Sequence, residues 1–176
     1  MGRPAVLNNF IDITDRKRVE GIMQARLRLL EFASSHPMDE LLTATLDEIE
    51  ALTGSSIGFY HFLEADEETL SLQNWSTNTL ETMCTAEGKG SHYDIGQAGV
   101  WVDCVHQRRP VIHNDYASLP HRKGMPEGHA PVVREVVVPI FRGDQIKAII
   151  GVGNKATAYD ESDIESVSQL GDLSWD

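Results

Sequence analysis

Three histidines at equal intervals are the first residues in this sequence that could do chemistry. His113, His121 and His129 stand eight apart, and imidazole is both a common metal ligand and the side chain that titrates nearest neutral pH. Two thiols, Cys84 and Cys104, are the candidate nucleophiles. Trp75 and Trp101, with Phe59, Tyr60 and Tyr93, offer aromatic walls for a ligand. His113, Asn114, Asp115 and Arg134 offer polar groups for the same place, and an apolar cavity with a few convergent polar groups is the usual small-molecule site. Arg134 opens an otherwise apolar strand. Facing inward it needs Asp115, the surroundings of Glu135 or an anionic ligand as partner; facing outward it is a solvated edge residue. Lys155 and Asp163 flank a strand-to-helix turn and read as a structural ion pair. A metal or a haem needs convergent ligands, and even spacing along a polar loop shows no convergence. The sequence therefore assigns no metal, no catalytic residue and no named cofactor.

The elements that must position these residues follow from periodicity. Residues 15–34 place Val19, Met23, Leu27 and Leu30 at steps of four, four and three, with Ile22, Leu29 and Phe32 broadening the stripe. This helix either packs on its own domain or pairs with the same helix of a second chain. Residues 38–53 form a second amphipathic helix with Gly54 as its C-cap. Residues 55–63 read as a strand with Ile57, Phe59 and His61 on one face and Gly58, Tyr60 and Phe62 on the other. Residues 70–76 return as its hairpin partner, and 77–91 are a polar loop. A third helix over 96–107, carrying Trp101 and Cys104, leads to a short strand at 111–114. A long polar loop over 115–131 precedes two apolar strands, 132–141 and 146–153, joined at Gly143-Asp144. A last helix spans 160–175. Sequential hairpins with helices at both ends predict an α+β fold, an antiparallel sheet with terminal helices together on one face and loops with the short third helix on the other.

At 176 residues, 41% of them hydrophobic, the chain can build one domain core. The net charge of -12 argues against nucleic acid, whose phosphates attract Lys and Arg. Two cysteines without a close pair suit a reducing, cytoplasmic setting. Apolar runs fall far short of a membrane span, so no membrane contact is expected of this segment, although a parent protein could be anchored.

Three phrases carry a resemblance to a known family. GVWVDCVHQRRPVIHND resembles the helix-then-strand segment of GAF domains, and REVVVPIFRGDQIKAIIGVGNK resembles their central hairpin. Asn154, Lys155, Tyr159 and Asp163 resemble the Asn-Lys, aromatic and acidic positions of cyclic-nucleotide-binding members. Ile164 stands where those members have Glu, which tells against cyclic nucleotides. PHRKGMPEGHAPV is similar to members in bacterial multi-sensor proteins. NNFIDITDRKRVE resembles the exit of a PAS sensor domain, a last strand running through a DIT turn into a signalling helix. The resemblance implies a six-stranded sheet, a ligand pocket on its front and homodimerisation through terminal helices. It divides the chain into a PAS-exit strand and linker helix at 1–26 and a sensor domain at 27–176, with the end at SWD reading as a cut inside a longer chain.

The function so implied is a sensory, small-molecule-binding regulatory domain of a signal-transduction protein, a sensor histidine kinase or a cyclic-di-GMP enzyme. The ligand is unidentified, and the output domain lies elsewhere. The alternatives are a relay that binds nothing and a thiol-dependent methionine sulfoxide reductase. The reductases of this fold keep their reactive Cys just before the central hairpin, where this chain has Pro131, Val132 and Val133. Bilin-carrying members place His directly after Cys, whereas here Val105 separates Cys104 from His106.

Overall fold

The computed structural model describes residues 12–83, 92–123 and 131–175. The expected PAS-exit strand lies outside them up to residue 11; Asp12 and Ile13 are not strand. Ten elements organise the rest: α1 (Thr14–Ala33), α2 (Met38–Thr53), β1 (Ile57–Leu63), β2 (Thr69–Trp75), β3 (His92–Asp94), α3 (Asp103–His106), β4 (Val111–His113), β5 (Glu135–Arg142), β6 (Gln145–Gly153) and α4 (Glu161–Gly171). The strands form one sheet in the order β3-β2-β1-β6-β5-β4, with every neighbouring pair antiparallel. This is the α+β architecture expected from sequence.

Strand alternation divides the core in two. Tyr60, Val136, Val138, Ile140, Ala148, Ile150 and Val152 face the back, where α1, α2 and α4 cover them with Ile22, Ala25, Leu29, Leu42, Leu46, Ile49, Val167 and Leu170. Leu63, Leu70, Val111, Val137, Ile146 and Ile149 face the front, beneath Ala98, Val102, Cys104 and Val105. Burying each of the Val, Leu and Ile side chains contributes ~1.5–3 kcal/mol before entropy is counted.

α1 is two-sided. The residues it buries are Ile22, Ala25 and Leu29, while Val19, Met23, Leu27 and Leu30 remain 50–65% exposed. The most regular apolar stripe in the sequence is thus not the one that holds the helix to its own domain. The helix is continuous across residue 26, and Ile22 and Leu29 enter the same core. Asp12, one residue before the N-cap Ile13, accepts the Thr14 amide at 2.9 Å at the entrance to the helix. An Arg28 to Glu48 pair, with two contacts of 2.7 Å, and an Arg18 to Glu165 pair fasten α1 to α2 and α4.

The third helix departs from expectation. Residues 95–107 are not one helix but two 3-10 turns, Ile95–Gln97 and Val100–Val102, followed by the single turn of α3. Gly99 between them is extended (φ -81°, ψ -163°) and breaks the run. β3 was not expected either: it pairs only with Thr69–Ser71 of β2.

Across the front, Trp75, Phe59, Gly151, Val137 and Val111 lie in one row of directly paired residues. The Phe59 ring occupies the place above Gly151, where an added Cβ would lie 2.2 Å from its Cζ. Gly151→Ala is therefore expected to lower stability by about 1–3 kcal/mol in urea unfolding, the usual cost of overpacking. Phe59→Leu in the same chain should recover part of the loss; an unchanged midpoint for Gly151→Ala would contradict this packing.

Candidate functional site

The front side, between the sheet and the 95–106 segment, collects most of the residues with chemical potential. β1 alternation sends Phe59 and His61 forward. The 3-10 turn Val100–Val102 lays Trp101 over them, its ring 4.4 Å from the His61 centroid and 5.8 Å from that of Phe59. Burial pushes the His61 imidazole down to about 3, so it is neutral across the physiological range. Trp75, half-buried, borders the same side as the pairing partner of Phe59.

On the same face, towards the β4 edge of the sheet, runs a chain of imidazoles and carboxylates. His113 on β4 sits opposite Glu135 on β5. Its Nδ1 lies 2.9 Å from Glu135 Oε1 and its Nε2 lies 3.3 Å from Asp103 Oδ2 on α3. His121 Nε2 meets the same Asp103 oxygen at 2.8 Å. An imidazole between two carboxylates donates to both only when protonated, because the neutral ring has one N–H. Burial disfavours that charge, but the bonds to Glu135 and Asp103 and their charges outweigh burial and raise the His113 pKa. Burial and the nearby Glu135 charge likewise push the Tyr116 hydroxyl up to about 12.

The other expected site residues have different places. Asn114 clamps the loop before α4: its amide donates to Tyr159 O at 3.0 Å and its carbonyl accepts the Tyr159 N–H at 2.7 Å. Arg134 reaches the same loop and donates to the carbonyls of Lys155, Ala156 and Thr157 at 2.7, 2.9 and 3.2 Å. These bonds answer the question its position raised: its described partners are backbone carbonyls, and neither Asp115 nor Glu135 is among them. Asp115 is exposed and precedes the 3-10 turn Tyr116–Ser118. Lys155 Nζ meets both oxygens of Asp163 at 2.8 and 2.7 Å.

The Cys104 thiol is buried and donates to Trp101 O at 3.4 Å. Burial first, then the charges of Glu135 and Asp103, push its pKa up, which removes it as a thiolate nucleophile. Cys84, His129 and the side chain of Tyr93 lie outside what the structure describes. Among the described residues no group of three His, Cys, Asp or Glu side chains is placed to hold a metal ion. His61, Asp103 and Glu135 were missed by sequence reasoning. Alternation put His61 beside Phe59, the one signal available; Asp103 and Glu135 look like ordinary surface acids until folding brings them to His113.

Comparison with known proteins gives this geometry a family context. A family model for the GAF domain matches residues 35–176. The methyl sulfide methyltransferase-associated sensor of Methanosarcina acetivorans is 37% identical over 183 residues, an alignment that takes in 99% of this chain and 18% of that protein. The chain thus spans less than a fifth of the length of this curated relative. The GAF domain from an Acinetobacter phosphoenolpyruvate-protein phosphotransferase superimposes with a TM-score of 0.69 at 12% identity, covering 90% of this chain and 92% of that one. The free methionine-R-sulfoxide reductase from Neisseria meningitidis superimposes with a TM-score of 0.67 at 16% identity, covering 96% and 92%. At these identities the two structures share the fold.

The His113 arrangement has a pH signature. Its folded-state pKa is raised above the unfolded value of about 6.5. The stabilisation is complete below that value and is lost as pH rises through the folded one. Urea unfolding between pH 6 and 9 should show the wild type losing stability relative to His113→Gln as pH rises; parallel profiles would contradict the charged ring.

Proposed function

The chain belongs to the GAF domain family, and on that premise we propose that it is a sensory, regulatory domain that binds a small molecule on the front of its sheet. The observation that carries this reading is that one short segment of the front lays Trp101 over His61 and Phe59 and, two residues on, joins Asp103 to His113, itself bonded to Glu135. An aromatic wall and charged hydrogen-bonding groups held by one segment suit a planar polar ligand. The relative named as a sensor supports a signalling role, and the parent protein would carry its output, a kinase or a cyclic-di-GMP enzyme, in another domain. The first 26 residues would continue a linker from a preceding sensor module.

A ligand would act by favouring one arrangement of the 95–106 segment and the loop after β4. It shifts that balance only by its differential affinity for the two states. The change would pass through the bonds of Asn114 and Arg134 to the turn before α4, and so to the terminal helices. Those helices would be the dimer contact. Val19, Met23, Leu27 and Leu30 present a continuous apolar stripe on α1, and such a stripe is the seam of a helix pair.

A relay that binds nothing is favoured by the Phe59 ring filling the space over Gly151. A thiol-dependent reductase shares only the fold, and the buried Cys104 cannot serve it.

Thermal-shift screening against purines, cyclic nucleotides, haem and small acids separates these. The sensor reading expects one class to raise the melting temperature, and Trp101→Ala to abolish that rise while Cys84→Ser keeps it. No response in the wild type favours the relay; loss in Cys84→Ser favours the enzyme. For the dimer, sedimentation velocity should show a wild-type dimer and a Leu27→Glu monomer that keeps its secondary structure by circular dichroism, since Leu27 is exposed. A wild-type monomer would end that proposal.

A further inference from the structure

The stretch 114–123 that follows β4 is tied down at its two ends by different kinds of contact. At the near end Tyr116 is 4% exposed, and its N–H donates to Val133 O at 3.0 Å. Its hydroxyl lies 3.6 Å from the place that a Cβ on Gly99 would take. At the far end the hold is polar and at the surface: His121 Nε2 meets Asp103 Oδ2 at 2.8 Å, and Lys123 Nζ donates to Gly96 O. Both far-end contacts land on the 95–106 segment that carries Trp101. We propose that residues 114–123 form a proton-gated strap, fastened to the 95–106 segment while His113 bridges Glu135 and Asp103, and released at its His121 end when that bridge is broken.

One carboxylate oxygen joins the gate to the strap. Asp103 Oδ2 receives His121 from the strap and His113 Nε2 from β4, while His113 Nδ1 lies against Glu135 Oε1. Protonated, His113 donates to both carboxylates and holds Asp103 where His121 meets it. Neutral, the ring keeps one N–H, and the two carboxylates compete for it. Glu135 has the shorter contact, 2.9 Å against 3.3 Å, and the more buried side chain, 4% exposed against 15% for Asp103. Withdrawing a donor from Glu135 therefore costs more than withdrawing one from Asp103. A lone pair on His113 Nε2 then faces Asp103 Oδ2, and two acceptors at that distance repel. Asp103, nearer the surface, turns away and takes the His121 anchor with it.

Titratable and charged groups surround His113 from three sides. Glu135 comes from β5, and Asp103 and the Cys104 thiol from α3. The strap brings His121, Tyr116 and Arg122, whose charge acts on Tyr116. Burial pushes the Cys104 thiol up and the Tyr116 hydroxyl up to about 12, so neither changes charge between pH 6 and 9. Burial also works against a charge on His113, but the bonds to Glu135 and Asp103 and their charges outweigh it. The bridge is thus complete below the unfolded value of about 6.5 and is lost as pH rises through the higher folded one. Acid fastens the strap. Alkali frees its far end, while the buried Tyr116 keeps its base in place.

Carbon-13 relaxation at the Cα atoms of residues 119–122 in the ligand-free chain, at pH 6 and pH 9, tests the strap. Order parameters near ~0.8 are expected at pH 6, falling below ~0.6 at pH 9, with α2 rigid at both. His121→Gln, at an exposed position, should be mobile at both pH values. His113→Gln should abolish the pH dependence at residue 121. Equal order in the wild type at both pH values, a strap still ordered in His121→Gln, or the wild-type pH dependence surviving in His113→Gln would each overturn the proposal. Should His113→Gln fail to fold, ring-nitrogen shifts of the wild type decide: loss of the proton from His113 Nε2 and loss of order at residue 121 must share one midpoint, and separate midpoints would overturn it. The measurement uses no ligand, so its outcome is independent of whether the front binds a small molecule.

Discussion

One buried charge sets the terms for the rest of the fold. Asp163, 4% exposed, sits in the first turn of α4, and Lys155 answers it with contacts of 2.8 and 2.7 Å. The same carboxylate accepts the Asp160 N–H at 3.0 Å, while Asp160 accepts the Ser162 N–H at 2.8 Å, a reciprocal cap. Removing one partner of such a pair strands the other, at about 3–5 kcal/mol. The pair therefore fixes the passage from β6 to α4, and neighbouring segments fasten to that passage. Asn114 brings in the end of β4, Arg134 and Asn154 the start of β5, and the Tyr159 hydroxyl the Ser55 turn after α2.

This turn is where the front and back of the sheet meet mechanically. The His113 chain is next in sequence to Asn114, and Glu135 is next to Arg134. Alternation sends one member of each pair forward into the charged chain and gives the other to the turn. A change in protonation or occupancy at the front thus has a short route, through bonded side chains, to α4 and its Glu165 contact with α1. The open stripe of α1 lies at the far end of that route.

Much of this was legible beforehand. The strands β1, β5 and β6 are long and apolar and were read from sequence, and the two faces of β1 followed from its alternation because burial on each side enforces it. The Asn-Lys, Tyr and Asp positions of the turn announced themselves through family resemblance. What was hidden depended on tertiary partners. β3 is three residues in a polar stretch, visible only once β2 offers Thr69–Ser71. The third helix fails because Gly99 is extended, which an apolar spacing cannot reveal. On α1 the most regular stripe, Val19 to Leu30, is the open one, since periodicity identifies a face and not its partner. His113 and His121 do come together, but through Asp103, a residue that spacing gave no reason to choose. Asn114 and Arg134 were read for a ligand because they are polar and near the front in sequence; in the folded chain they also hydrogen-bond the backbone of the turn before α4.

The central claim is that the front of the sheet holds a small molecule. Native mass spectrometry of freshly purified chain, incubated with a pool of cellular metabolites, tests it most directly. The account predicts one discrete, non-covalent ligand mass per chain that disappears in Trp101→Ala. A bare wild-type chain, or the same adduct in both proteins, would contradict it.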